Sequence, residues 1–191
     1  MSESSPEKPE STYRIGIVSD THWTRPEQFD PRLEICLRGV SLILHAGDVV
    51  EPFVLQRLNQ LAPIRAVQGN CDRQALRAVL SLQLELNIDG VRIGLLHGHQ
   101  ANPAYPEDYL ELFGAPPDLL VHGHSHVAVN RQIGKTRIFN PGSASEPRNQ
   151  LAPTVGLLEV QAERGIVNLH HVDIASGRTV DPKAGWPKGE S

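Results

Sequence analysis

Three segments decide the fold: YRIGIVSDTH (13–22), SLILHAGD (41–48) and IRAVQGNCD (64–72). Each begins as an apolar run of strand length and ends on small and polar residues. Between the first two, Asp30-Pro31 predicts a helix start, with Asp as N-cap and Pro at the first helical position. Leu33, Cys36, Leu37 and Val40 follow at helical spacing. Between the second and third, Pro52 to Ala62 places Val54, Leu55, Leu58 and Leu61 on one helical face. A βαβαβ order of this kind favours a parallel sheet with right-handed crossovers.

The second half has a different pattern. Leu82, Leu84, Leu86 and Ile88 alternate with polar residues, so that strand has one differently packed face. Asp89-Gly90 predicts a two-residue hairpin turn into Val91–Leu96. A short helix is expected around Glu107 to Phe113. Strands follow at Asp118–Val121, Val127–Ile133, Thr136–Phe139, Val155–Gln161 and Ile166–Ile174, with turns at Gly134-Lys135 and near Gly165. Strands outnumber helices, so two mixed sheets packed face to face with helices outside fit better than one parallel sheet. The expected plan is a tail over residues 1–12, one domain over 13–175, and a Gly/Pro/Lys-rich tail over 176–191.

Composition narrows the function. The chain has 191 residues, 18 Lys and Arg against 22 Asp and Glu, and a net charge of −4. That balance argues against sequence-independent nucleic-acid binding, which needs a basic surface. Mean hydropathy is −0.28, and no apolar run approaches the roughly 18 residues of a membrane span. The first twelve residues lack the apolar segment of a signal peptide. Two cysteines, Cys36 and Cys71, are too few for a disulfide framework or a Cys-rich zinc site. The expected compartment is the reducing cytoplasm. Homo-oligomerisation is left open by the sequence.

The polar residues after the strands carry the chemistry. Asp20 and His22 follow the first strand, Asp48 the second and Asn70 the third. His97 follows the hairpin's second strand, and His124 and His126 follow the next. In α/β sheets, ligands bind at that carboxyl edge. Two Asp, one Asn and four His suit two divalent cations. The first would take Asp20, His22, Asp48 and His126. The second would take Asp48, Asn70, His97 and His124, with Asp48 shared. Imidazole-rich donors suit Mn, Fe, Zn or Ni better than Mg. Two ions, two carboxylates and a bridging hydroxide leave about +1, which attracts a phosphate ester. Such a pair generates hydroxide at neutral pH and stabilises oxygens on both sides of an in-line displacement.

In order, D-x-H (Asp20, His22), GD (Gly47, Asp48), GN (Gly69, Asn70), H (His97) and GHxH (Gly123 to His126) resemble the calcineurin-like metallophosphoesterases. The GNCD form at Gly69 to Asp72, with NPGS at Asn140 to Ser143, is similar to the small prokaryotic phosphodiesterase-like subgroup. The resemblance runs from about Tyr13 to Leu158. It implies an αββα sandwich, a two-metal site (often Mn) and hydrolysis of a small-molecule phosphodiester. A phosphomonoesterase and a non-catalytic scaffold module, as in the retromer subunit that shares the fold, are the alternatives.

One position departs from the pattern. Many members carry His after GN, and that His protonates the leaving group. Here Cys71 stands in its place, so the expectation is a preference for good leaving groups or another acid such as His99. Asn70 is a candidate for substrate contact, and His99 reads either as a second such contact or as a solvent-exposed histidine. His45 and His122 read as core or supporting histidines. His170 and His171 point to opposite faces of one strand. Asp72 reads as the cap of a short helix over Gln74 to Val79 or, alternatively, as a carboxylate supporting the metal ligands from behind. Trp23 reads either as a pocket wall or as a surface aromatic, and Arg148 as ordering the loop after NPGS or touching phosphate. That NPGS turn is expected to line the edge with backbone donors. Substrate selection is expected from the loop at Ala101 to Tyr109.

Overall fold

The computed structural model describes residues 12–101, 106–148 and 152–181. Most of the expected N-terminal tail, most of the C-terminal tail, and part of the 101–109 loop lie outside them. The three leading segments form β1 (Tyr13–Val18), β2 (Leu42–His45) and β3 (Ile64–Ala66), all parallel. The joining helices are α1 (Pro31–Cys36) and α2 (Pro52–Leu58). Asp30 caps α1 as the sequence predicts, its carboxylate accepting from Arg32 N–H at 2.9 Å. α2 ends four residues before the expected Ala62. Pro63 follows, and the residue before a proline is pushed out of the helical region, so the last residues form turns instead.

Leu84, Leu86 and Ile88 sit on β4 (Gln83–Ile88), which pairs antiparallel with β5 (Val91–Leu96). The turn between them has positive φ at both Asp89 (48°) and Gly90 (86°), the two-residue hairpin geometry. Then come β6 (Leu119–Val121), β7 (Val129–Ile133), β8 (Thr136–Asn140), β9 (Thr154–Gln161) and β10 (Gly165–Asp173). The region expected as tail from Ser176 contributes β11 (Thr179–Val180), paired with β10. α3 (Gln74–Arg77) is a single turn, and residues 106–112 coil as a 3₁₀ helix.

The strands make two mixed sheets, ordered β11-β10-β9-β1-β2-β3 and β4-β5-β6-β8-β7. Between them Ile15, Ile17, Leu44 and Leu158 meet Ile93, Leu95, Val121 and Phe139. The outer face of the first sheet is covered by Leu33 and Leu37 near α1 and by Val54 and Leu58 of α2. The outer face of the second is covered by Tyr109 and Phe113 over Leu96, Leu120 and Ile138. The result is the four-layer αββα sandwich. Trp23 belongs to its interior: it is buried, with its ring 4.8 Å from that of Phe29. It is therefore neither a surface aromatic nor a pocket wall, because burying the indole against Phe29 removes its apolar area from water.

Candidate metal centre

Six parallel strands, β1, β2 and β3 of one sheet and β5, β6 and β8 of the other, end along one rim. The loops leaving five of them bring together all seven residues singled out by the sequence. Asp20, His22, Asp48 and His126 place one donor atom each within 4.8 Å of one another. His126 Nε2 lies 3.3 Å from Asp20 Oδ1, and His22 Nε2 lies 3.4 Å from Asp48 Oδ2. On the other side of Asp48, His97 Nε2 is 3.3 Å from Oδ2 and 3.1 Å from Asn70 Oδ1. The His124 ring stands 5.1 Å from that of His97. Asp48 Oδ2 thus touches both groups.

Backbone conformation explains how the short loops achieve this. Asp20, His22, Asp48, His124 and His126 all have φ between 48° and 66°, in the left-handed region. For non-glycine residues that region is sparsely occupied and costs energy, and such positions gather at functional sites. Gly69 is required by close approach, because a Cβ there would lie 2.1 Å from Asp48 Oδ1.

The hydrogen bonds around the cluster fix its donor chemistry. Asp20 Oδ2 accepts from Ser19 Oγ–H at 2.7 Å and from His124 N–H at 3.1 Å. Asp48 Oδ1 accepts from Cys71 N–H at 2.7 Å. With Nδ1–H donating to Ala46 O at 2.7 Å, His97 turns its Nε2 lone pair toward Asp48 and Asn70. His126 does the same: Nδ1–H donates to Glu146 O at 2.7 Å, and Nε2 faces the Asp20 carboxylate. Acceptors therefore face acceptors across about 3 Å, an arrangement that only a proton or a cation resolves.

The titration pattern agrees. Burial pushes Asp20 up to about 7, and every ion pair of the two carboxylates is with an imidazole. Burial would raise Asp48 too, but the His97 imidazole and Cys71 N–H outweigh it and hold the carboxyl below its usual range. Burial pushes His124 down to about 4 and lowers His126, leaving both as neutral donors at pH 7. Burial would lower His97 as well, but its bond to Asp48 and the charges of Asp20 and Asp48 raise it. Two carboxyls, imidazoles and an amide oxygen converging on one rim are a donor set that fits divalent cations.

The supporting residues sort differently. His45 is buried with Nε2 3.3 Å from Thr21 Oγ1, and His122 is buried against Tyr109. Burial pushes them down to about 3 and about 4. His171 is buried on β10, whereas His170 is near Asn168. His99 is half-buried, its ring 5.4 Å from that of His97. Cys71 is exposed, and burial of its thiol and the nearby Asp48 push it up to about 11. The backbone N–H of Arg148 donates to His126 O at 3.2 Å.

One expectation needs correction. Asp72 does not cap α3; the residue at that position is Arg73. The Asp72 carboxylate instead accepts from Val50 N–H and Gly69 N–H, each at 2.7 Å, because two loops bury it where both amides need a partner. In and just after the NPGS turn, two backbone donors are spent within the fold. Gly142 N–H bonds Asn140 Oδ1, and Ala144 N–H bonds Ser19 O. Its side chains serve the site: Ser143 Oγ–H donates to Asp20 O at 2.7 Å, and Asn140 Nδ2–H donates to Gly123 O at 2.8 Å. The sequence signal for these two was their place just after a strand, the signal that marked the other seven.

Comparison with known proteins gives the same direction. Residues 13–163 match the model of the calcineurin-like phosphoesterase superfamily domain. A probable metallophosphoesterase of Methanothermobacter thermautotrophicus is 36% identical over 154 residues, covering 78% of this chain and 87% of that one. The phosphodiesterase YfcE of Escherichia coli K12 is 34% identical over 112 residues, 56% of this chain and 58% of that one. A solved structure, Vacuolar Protein Sorting 29 from Cryptosporidium parvum, superposes with a TM-score of 0.72 at 21% identity. It covers 88% of this chain and 95% of that chain, a likeness of fold alone. By the matched model and by relatives of this similarity, the chain belongs to the calcineurin-like phosphoesterase superfamily.

Proposed function

We infer that the rim holds two divalent cations, Mn first among Mn, Fe, Ni and Zn, and hydrolyses a small phosphodiester. The observation that carries this is Asp48 Oδ2, 3.4 Å from His22 Nε2 and 3.3 Å from His97 Nε2. One carboxylate oxygen facing two separate imidazole groups is what a shared ligand requires. Asp20, His22, Asp48 and His126 hold the first ion; Asp48, Asn70, His97 and His124 hold the second. When bound, such a pair supplies a hydroxide nucleophile at neutral pH and positive charge for the phosphoryl oxygens.

The protein's own groups orient and insulate. Ala46 O and Glu146 O fix which ring nitrogen of His97 and His126 faces inward. Ser19 Oγ–H and His124 N–H hold the Asp20 carboxylate in place. The Cys71 thiol, protonated at neutral pH, is a weak acid for a departing alkoxide, so esters with good leaving groups are favoured. His99 and Asn70 are placed to touch the substrate. Preference for a diester draws on the name of the E. coli relative. No helix among the described residues is long and apolar enough to cross a membrane, which suits a small-molecule substrate reached from water.

The test measures Mn-supplemented hydrolysis of bis-p-nitrophenyl phosphate and of p-nitrophenyl phosphate, with metal content by mass spectrometry. Wild type is expected to hold two ions and favour the diester. Asp48→Ala, His97→Ala and His124→Ala are expected to fall at least a hundredfold. Equal rates in all four proteins would reject catalysis at this rim.

A further inference from the structure

The Asp72 carboxylate is buried, 3% exposed, and both its oxygens accept from backbone amides rather than from a rim side chain. Its oxygens go to two different loops. Oδ1 accepts from Val50 N–H, two residues after Asp48, and Oδ2 accepts from Gly69 N–H, the residue before Asn70. The Val50 end is under strain. Val50 has φ +72°, and a β-branched residue in the left-handed region is an outlier that persists only when its surroundings hold it there. A charge-assisted bond to its amide is such a hold.

The two loops differ in what else anchors them. Asp48 is fixed from the β1 side: its carbonyl accepts from His22 N–H at 3.2 Å, and Thr21 Oγ–H reaches it at 3.4 Å. The loop carrying Asn70 has an anchor before Gly69, Gln68 N–H donating to Ser81 O at 2.8 Å, and otherwise leans on the GNCD segment and on α3. Cys71 N–H donates to Asp48 Oδ1, and Arg77 donates to the carbonyls of Asn70 and Asp72. Asp72 is the buried anion at the centre of that segment. Removing its charge frees Gly69–Asn70 while the β1 side continues to hold Asp48.

We propose that Asp72 is a positioning residue for the second cation: by bridging Val50 N–H and Gly69 N–H it sets the distance between Asp48 and Asn70, and so governs that ion and not the first. This rests on the two-ion reading above. The sign of each variant follows from donor counts. In Asp72→Asn one oxygen still accepts, but the amide NH2 now meets a backbone N–H that it cannot bond. Asp72→Ala removes both bonds.

Wild type, D72N and D72A would be stripped with chelator and titrated with Mn²⁺, following each ion by equilibrium dialysis and electron paramagnetic resonance. Wild type is expected to show two ions and a spin-coupled signal. D72N is expected to bind the first ion within about threefold of wild type and the second 10- to 100-fold more weakly, the usual effect of losing a partner behind a metal ligand. Its spectrum at one equivalent and above then keeps the uncoupled six-line pattern. D72A is expected to show the same with a larger loss, and if it does not fold, D72N alone decides. Two ions held equally well by wild type and D72N would overturn the inference, as would equal weakening of both ions. Wild type binding fewer than two ions would instead overturn the two-ion reading and this inference with it.

Discussion

Replacing His171 by Phe tests the polar interior most sharply. The ring is buried, stacked 4.4 Å from the Phe139 ring, and its Nε2–H donates to Asn140 O at 2.7 Å. Burial pushes its pKa down to about 4; the Asn140 carbonyl and Asp181 pull it up, and His170 pushes it further down. The unfolded chain has the ordinary value near 6.5. Below pH 6.5 the unfolded state therefore binds a proton that the folded state refuses, and stability falls as pH drops toward 4. From the two values the loss attributable to His171 is about 2 kcal/mol by pH 5 and about 3 kcal/mol below pH 4. Phe keeps the stack but loses the bond to Asn140 O, worth about 1 kcal/mol. The variant is thus about 1 kcal/mol less stable than wild type at pH 7.5 and about 1 kcal/mol more stable at pH 5, with a crossing near pH 6. Urea unfolding of both proteins in chelator at pH 5, 6 and 7.5 measures this, since His45 and His122 titrate in both and cancel. Two stability curves that stay parallel would refute the argument.

Four further outcomes are expected. Gly69→Ala forces Asp48 to yield by about 1 Å, since a Cβ would sit 2.1 Å from its Oδ1, and turnover with Mn²⁺ falls on the order of a hundredfold in steady-state assays. Gly156→Ala drives a Cβ to 2.4 Å from Phe139 Cε1 in the interlayer core, costing about 2 kcal/mol, or roughly 4–8 °C in a thermal melt. Mn²⁺ at a hundredfold excess over Kd stabilises the metal-stripped protein by about 3 kcal/mol for each ion bound, roughly 6–12 °C per ion in differential scanning calorimetry. Rates across aryl diesters of graded phenol pKa fall steeply as the leaving group worsens, because the Cys71 thiol holds its proton; a flat series measured where chemistry limits turnover contradicts this.

Much of the rim was legible because its residues obey one rule. Asp20, Asp48, Asn70, His97 and His124 each follow an apolar run, and parallel strands deliver such positions to one edge. The rule gives position but not partner. Asp72 has the sequence context of a helix cap, and only the nearness of the Val50 and Gly69 amides shows that it bridges loops. Trp23 follows a rim histidine, so its local context suggests a pocket, whereas Phe29, six residues away, takes it into the core. β11 has two residues and no periodicity to read; its pairing with β10 is a tertiary fact. The left-handed backbone at five rim positions is equally invisible, since Asp and His specify no sign of φ.

The seven rim side chains come from opposite halves of the sandwich: Asp20, His22, Asp48 and Asn70 hang from one layer, His97, His124 and His126 from the other. The spacing between those halves is set in the interlayer core, where Ile17, Leu44 and Phe139 act as shims. Thickening or thinning a shim shifts every distance between the two groups of rim side chains at once, so greasy residues with no contact to solvent become adjusters of the rim's geometry.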